Sequence, residues 1–408
     1  MLKHLAIYIS NQENKNRLLN KITSGELIKE LFHLNGGVFS EIALNKFIEE
    51  EMRHGHFDVQ TITKNSLINS SEGERKKALL SHILSQNPDY IILDNVFDSL
   101  DIKSQSEIRN KLIQLSDELL IVQITTRKRD ILPFIKERFV LKDSKLLRLD
   151  ITKNFKKTSE NFIGNIPNPY KLKNKNFNTL VKLKNVSVSY GERPILKDIS
   201  WEIKPNEFWQ LIGPNGSGKS TILTLISGDN PKGFLQDMTL FGMKKGSGET
   251  VWDIKKHIGF FSSEMLRGFK RSDTIENMII SGFLDSIGLY KCPTDVQIGI
   301  AQEWLHVLNM FQLKDESFQS LSNGHKRLVL IARAMVKHPP LLILDEPTNG
   351  LDDNDSELLS KLINKISEET NTAIIYVSHR KELHISPNYI YKLFPNKTGS
   401  IGKILKTN

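Results

Sequence analysis

At 408 residues the chain exceeds what one hydrophobic core of ordinary size accommodates, so two or three domains are expected. Lys and Arg outnumber Asp and Glu by 22 to 21 in residues 1–150, 6 to 1 in 151–180 and 28 to 25 in 181–408. A basic excess gathered in one short segment reads as a solvated tether, not as the folded face that nucleic acid requires. The lone Cys292 excludes an internal disulfide and a Cys-rich metal site. No apolar run approaches the roughly 18 residues of a membrane helix, and Met1-Leu2-Lys3-His4-Leu5 lacks the apolar core of a secretory leader, so a cytoplasmic protein is expected.

The first 150 residues repeat the second half in eroded form. Residues 71–101 match residues 322–352 at nine of thirty-one positions without a gap, including Ser71/Ser322, Gly73/Gly324, Asp94/Asp345 and Asp101/Asp352. A weaker register lays Tyr8–Gly25 on Leu211–Gly228, which sets Ser10–Arg17 where the second half has a glycine loop and Asn16-Arg17 at Lys219-Ser220. Asn95 then stands at the position of Glu346, and Thr126 at that of His379. An amide cannot accept a proton from water as a carboxylate does, so this half should neither bind Mg·ATP well nor hydrolyse it.

Residues 151–179 are rich in Lys and Asn, with Pro167 and Pro169 and little apolar periodicity, which predicts an exposed linker. From 180 onward the pattern is α/β with a β-rich edge. Alternation at Val181, Leu183, Val186 and Val188 predicts a strand. Buried strands are expected at Leu341–Leu344 and Ile374–Val377, helices across Gln297–Phe311 and Ser356–Ile366, and a closing hairpin at Tyr389–Phe394 and Ile401–Leu405.

The run Phe208–Ile212, then Gly213-Pro214-Asn215-Gly216-Ser217-Gly218-Lys219-Ser220-Thr221 and an apolar helix start, fits G-x-x-x-x-G-K-[ST] between strand and helix. Glycines let successive N–H groups face phosphate oxygens, and the helix N-terminus adds partial positive charge. Lys219 is expected on the β and γ phosphates and Ser220 on Mg²⁺. Leu341–Leu344 ends in Asp345-Glu346, with Asp345 toward the ion and Glu346 polarising the attacking water.

Leu321-Ser322-Asn323-Gly324-His325 before a helix resembles the signature of ABC ATPases. That resemblance spans nearly all of residues 180–408. It implies that Tyr190 stacks on adenine, that Gly350-Leu351-Asp352 is the D-loop and that His379 contacts the γ-phosphate. Ser263 falls where the family has a glutamine that senses a transport partner, which weakens conventional coupling. The stretches Leu240–Ser263 and Ser281–Gly288 are similar to tandem ATPases of the ModF or PhrA type, a family associated with molybdate transport and photorepair. The resemblance thus implies an α/β fold of two P-loop NTPase cassettes: a degenerate one in 1–150, a linker in 151–179 and an intact one in 180–408. In that family two cassettes close head to tail. Ser71 and Gly73 would then complete one ATP site with Lys219, Ser220, Asp345, Glu346 and His379, whereas Ser322 and Gly324 would face a dead loop. The implied partners are ATP, Mg²⁺ and either a membrane transport subunit, at the inner face of the membrane, or a second copy. A nucleotide-switched protein on ribosomes or other nucleic acid is the alternative.

Overall fold

The computed structural model describes residues 3–11, 13–61, 66–142, 145–149, 162–170, 177–269, 272–286, 288–379, 382 and 384–406. The chain divides into two compact units, Met1–Thr158 with Gly350–Asp353, and Ser159–Asn349 with Asn354–Asn408.

The first unit contains strands β1 (Leu5–Tyr8), β2 (Gly36–Phe39), β3 (Tyr90–Asp94), β4 (Leu120–Thr125), β5 (Glu137–Lys142) and β6 (Lys145–Arg148), with helices α1 (Lys15–Thr23), α2 (Glu41–His54), α3 (Glu72–Ser85) and α4 (Ile102–Leu115). Its sheet has the order β2-β3-β4-β1-β5-β6, parallel except for the β5–β6 hairpin. All five residues of β3 are buried, as a parallel strand covered on both faces requires. Apolar clusters flank the sheet, one built on Ile91, Leu93 and Ile121 and the other on Ile7, Ile92 and Val122.

The second unit carries β7 (Val181–Tyr190), β8 (Arg193–Ile203), β9 (Phe208–Ile212), β10 (Asp237–Leu240), β11 (Met243–Lys244), β12 (Ile258–Ser262), β13 (Leu341–Asp345), β14 (Ala373–Ser378), β15 (Tyr389–Phe394) and β16 (Ile401–Lys406). Its helices are α5 (Lys219–Ile226), α6 (Val251–Lys255), α7 (Met265–Gly268), α8 (Ile275–Ile280), α9 (Asp295–Val307), α10 (Asn323–Met335) and α11 (Asp353–Glu369). The main sheet has the order β12-β13-β14-β9-β15-β16, which repeats the first unit strand for strand. A second, antiparallel sheet, β11-β10-β7-β8, has no counterpart among the described residues of the first unit.

Strand pairing fixes the correspondence between the units and corrects the weak sequence register. Leu5 of β1 faces Val122 and Glu137, whereas Trp209 of β9 faces Ile375 and Tyr389. Val122 and Ile375 are each the third residue of their strands, and Glu137 and Tyr389 each the first. Leu5 therefore corresponds to Trp209 and Tyr8 to Ile212. Seven residues later each unit begins a helix, at Lys15 and at Lys219. The degenerate unit thus keeps a lysine at the position of Lys219. Asn16, not Arg17, stands at Ser220. Gln12, within this loop, lies outside the described residues.

The expected linker is only partly a linker. Residues 151–161 and 171–176 lie outside the described residues, but Ile166 and Pro167 are buried. The Ile163 N–H donates to Val307 O at 3.2 Å, the Ile166 N–H donates to Glu369 Oε2 at 2.8 Å, and Tyr170 packs edge-on against Phe283. A polar composition concealed two buried residues and a carboxylate able to cap a free amide.

In the first unit, Lys15 Nζ lies 3.2 Å from Asp94 Oδ1, with the Asp94 side chain 7% exposed. Burial raises the Asp94 pKa, and the Lys15 ammonium opposes that shift. Lys15→Met leaves a buried carboxylate without its cation. We expect a loss of about 1–3 kcal/mol, discounted from a fully buried pair because Lys15 is partly exposed. Urea unfolding should show it, with ATP affinity unchanged.

Candidate active site

Strand β9 lies inside the main sheet, between β14 and β15, so the loop after it emerges at the carboxyl ends of the parallel strands. Gly216 and Gly218 have φ of +73° and +92°, the left-handed region. A Cβ at Gly213 would sit 2.6 Å from Ser217 Oγ, and one at Gly218 2.6 Å from Leu196 Cδ2. Only glycine permits this path. Lys219, the first residue of α5, is buried, and its Nζ donates to Gly213 O at 2.8 Å and Pro214 O at 3.0 Å and reaches His379 Nδ1 at 3.2 Å. Pro214 and Asn215 are half-buried, Ser217 is buried inside the loop, Ser220 is exposed and Thr221 half-buried.

Strand β13 delivers the acids. Leu341 to Leu344 are fully buried, and Asp345 and Glu346 follow at the strand end. Glu346 has φ +50°. Its Oε1 pairs with His379 Nε2, and Asn349 Nδ2 donates to its Oε2 at 3.4 Å. An ammonium has no acceptor, so Nδ1 must accept from Lys219; the imidazole proton then sits on Nε2 and points at Glu346. Lys219, His379 and Glu346 form one directed chain.

Burial, and next the adjacent Glu346 charge, push the Asp345 pKa up to about 6, while Lys219 and His379 pull it down. Two neighbouring acids held this way suit a divalent cation, which would relieve both effects. Asp345 and the Ser220 hydroxyl, at the start of α5, are hard oxygen donors of the kind Mg²⁺ takes. Ser217 Oγ is buried without a hydrogen-bond partner, a polar atom open to a ligand.

Asn230 and Arg327, which carry no motif of their own, hold neighbouring parts of the site. Tyr190, at the end of β7, is 48% exposed, and its hydroxyl accepts from Asn230 Nδ2 at 2.8 Å. Asn230 also donates to Thr224 Oγ1 at 3.2 Å, tying the tyrosine to α5. Arg327 of α10 donates to Pro347 O and Asn349 O, gripping the loop behind Glu346. The Ser263 N–H donates to Asp345 O at 3.3 Å, so the backbone at the expected glutamine position runs beside Asp345. Ser322 caps α10 by accepting from the His325 N–H at 3.2 Å. A Cβ on Gly324 would meet the Asp355 carboxylate within 2.5 Å.

The first unit mirrors this with its chemistry removed. Asn95 keeps the left-handed backbone of Glu346, at φ +43°, and its Oδ1 accepts from the Thr126 N–H at 3.0 Å. Asn14, in the place of Gly218, has φ −78° and accepts from the Arg17 N–H at 3.0 Å. The helix thereby caps itself with a side chain, whereas α5, behind Gly218, has no side-chain cap. Ser71 and Glu74 form a capping box on α3, and a Cβ on Gly73 would meet Ser104 Oγ at 2.8 Å. Ser71 and Gly73 therefore have local structural reasons to persist, as Ser322 and Gly324 do. Unlike α10, α3 carries acids, Glu72 and Glu74, in its first turn.

Comparison with known proteins agrees with this geometry. A family model described as ABC transporter matches residues 196–349. The chain is 40% identical over 327 residues to the ABC transporter ATP-binding protein ModF of Escherichia coli, covering 76% of this chain and 67% of that protein. It is 30% identical over 332 residues to an uncharacterized ABC transporter ATP-binding protein of Schizosaccharomyces pombe, covering 78% of this chain and 66% of that one. Among solved structures, a model of ribosome-bound archaeal Pelota and ABCE1 matches 99% of this chain and 75% of its own at a TM-score of 0.66 and 16% identity, a likeness of fold alone. Among the described residues no helix is long and apolar enough to cross a membrane. With these matches, the chain belongs to the ABC ATPases, in the tandem ModF type.

Proposed function

We propose that the second unit hydrolyses Mg·ATP at the loop Gly213–Thr221, and that the first unit contributes only Ser71 and Gly73, as the signature side of a composite site. The observation that carries the reading is the chain Lys219–His379–Glu346 beside Asp345, set against Asn14, Asn95 and Thr126 at the matching positions of the first unit. Lys219 would exchange its two loop carbonyls for phosphate oxygens, and Tyr190 would offer its exposed ring to adenine. Ser220 and Asp345 would hold Mg²⁺, which supplies charge neutralisation between the β and γ phosphates. Glu346 accepts the proton of the attacking water. His379, donating through Nε2, holds the carboxylate in place.

The names of its relatives support a role as the ATP-binding component of a transport system, with a membrane subunit as partner. Nothing in the chain selects molybdate or any other cargo. Glu346→Gln should lower turnover 10²–10⁴-fold while ATP stays bound, and the trapped protein should retain a membrane subunit in detergent extracts. Recovery of ribosomes instead would favour a nucleotide-switched role in translation.

Ser71→Arg tests the composite site. It should cut turnover at least tenfold, because a bulky side chain would displace the phosphate from the α3 N-terminus; undiminished activity would mean that second units pair between chains. Proton and Mg²⁺ compete for Asp345. Since its pKa is raised to about 6, the apparent Mg²⁺ affinity should be level above that pH and fall about tenfold per unit below it. Isothermal titration between pH 5 and 8 reads this slope.

A further inference from the structure

Tyr376, Thr348 and Glu382 form a polar chain inside the second unit that the mechanism above does not use. Thr348 Oγ1 lies 3.1 Å from the Tyr376 hydroxyl and 3.0 Å from Glu382 Oε1. Tyr376 is fully buried and Thr348 3% exposed. A threonine hydroxyl has one proton, and a carboxylate accepts without donating, so that proton goes to Glu382 and Tyr376 donates to Thr348. The chain therefore runs one way, from the β14 core to a carboxylate.

Its ends matter because of what they flank. Thr348 lies two residues after Glu346, and Glu382 three residues after His379. The Thr348–Glu382 bond thus joins the same two loops as the Glu346–His379 pair. Arg327 fixes the backbone on either side of Thr348 through Pro347 O and Asn349 O. Ordering a glutamate side chain costs conformational entropy. A second bond in parallel lets the base and the histidine meet without bearing that cost alone.

We infer that Glu382 is a positioning residue for hydrolysis, acting through Thr348 to hold the loop of Glu346 against the loop of His379. This rests on the roles given to those two residues under Proposed function. The first unit supplies an independent observation. By the strand correspondence, Phe97 stands at Thr348, Gln123 at Tyr376 and, by count, Arg129 at Glu382. Phe97 is buried in the apolar core, and Gln123 Nε2 donates to Asp130 O. Where the base and histidine have been replaced, the whole chain has been replaced with them.

Steady-state ATPase assays on the full chain test this. Glu382→Ala should lower kcat about tenfold, with KM for ATP within about twofold. Thr348→Val should do the same, and the double variant should be no worse than either single one. Glu382→Gln, whose amide oxygen still accepts from Thr348, should restore most of kcat. An unchanged kcat in Glu382→Ala, losses that multiply in the double variant, or a Gln variant as slow as Ala would each overturn the inference. If Glu382→Ala fails to fold, Thr348→Val and Glu382→Gln carry the same contrast. Loss of turnover in Glu346→Gln with none in Glu382→Ala sinks this inference alone; turnover surviving Glu346→Gln sinks the active-site reading itself.

Discussion

The conformation of one residue, the last before the helix that follows the inner strand of each sheet, governs what each half of this chain can bind. In the second unit it is Gly218 at φ +92°, a residue with no side chain to cap α5. In the first it is Asn14 at φ −78°, whose side chain takes the amide of Arg17 for itself. A phosphate needs those amides unclaimed. The two lysines differ in the same way: Lys219 donates to the carbonyls of Gly213 and Pro214, whereas Lys15 pairs with the Asp94 carboxylate.

Much of this was legible in the residues because phosphate loops and acid-bearing strands impose chemistry on contiguous positions. The loop Gly213–Thr221, the strand Leu341–Asp345 and the duplication at 71–101 all declare themselves locally. So does the closing hairpin, by alternation. What stayed hidden depends on pairing between distant segments. Without glycines, the loop at Ile9–Asn14 offers no landmark, and only the pairing of Leu5 with Val122 and Glu137 sets its register. Asn230 and Glu382 lie in no motif, and only their partners Tyr190 and Thr348 mark them. The anchoring of residues 162–170 depends on Glu369, some two hundred positions away.

The signature positions show how one residue can satisfy two demands. Ser71 and Ser322 cap their helices, and Gly73 and Gly324 make room for a neighbouring helix, whether or not a nucleotide ever arrives. Their persistence in both halves has an account in packing alone. The acids of α3 mark the difference, since Glu72 and Glu74 favour the helix dipole and α10 has neither.

Asn95 retains the left-handed backbone of Glu346, at φ +43° against +50°. Decay at that end of the site is only side-chain deep, since asparagine is among the few residues that tolerate such a backbone and still fit the slot. At the loop the decay has reached the main chain, where several glycines would have to return together before any one of them helped. Evolution could undo the first loss in a single step, yet the second works as a ratchet, committing this half of the molecule to life as an accessory.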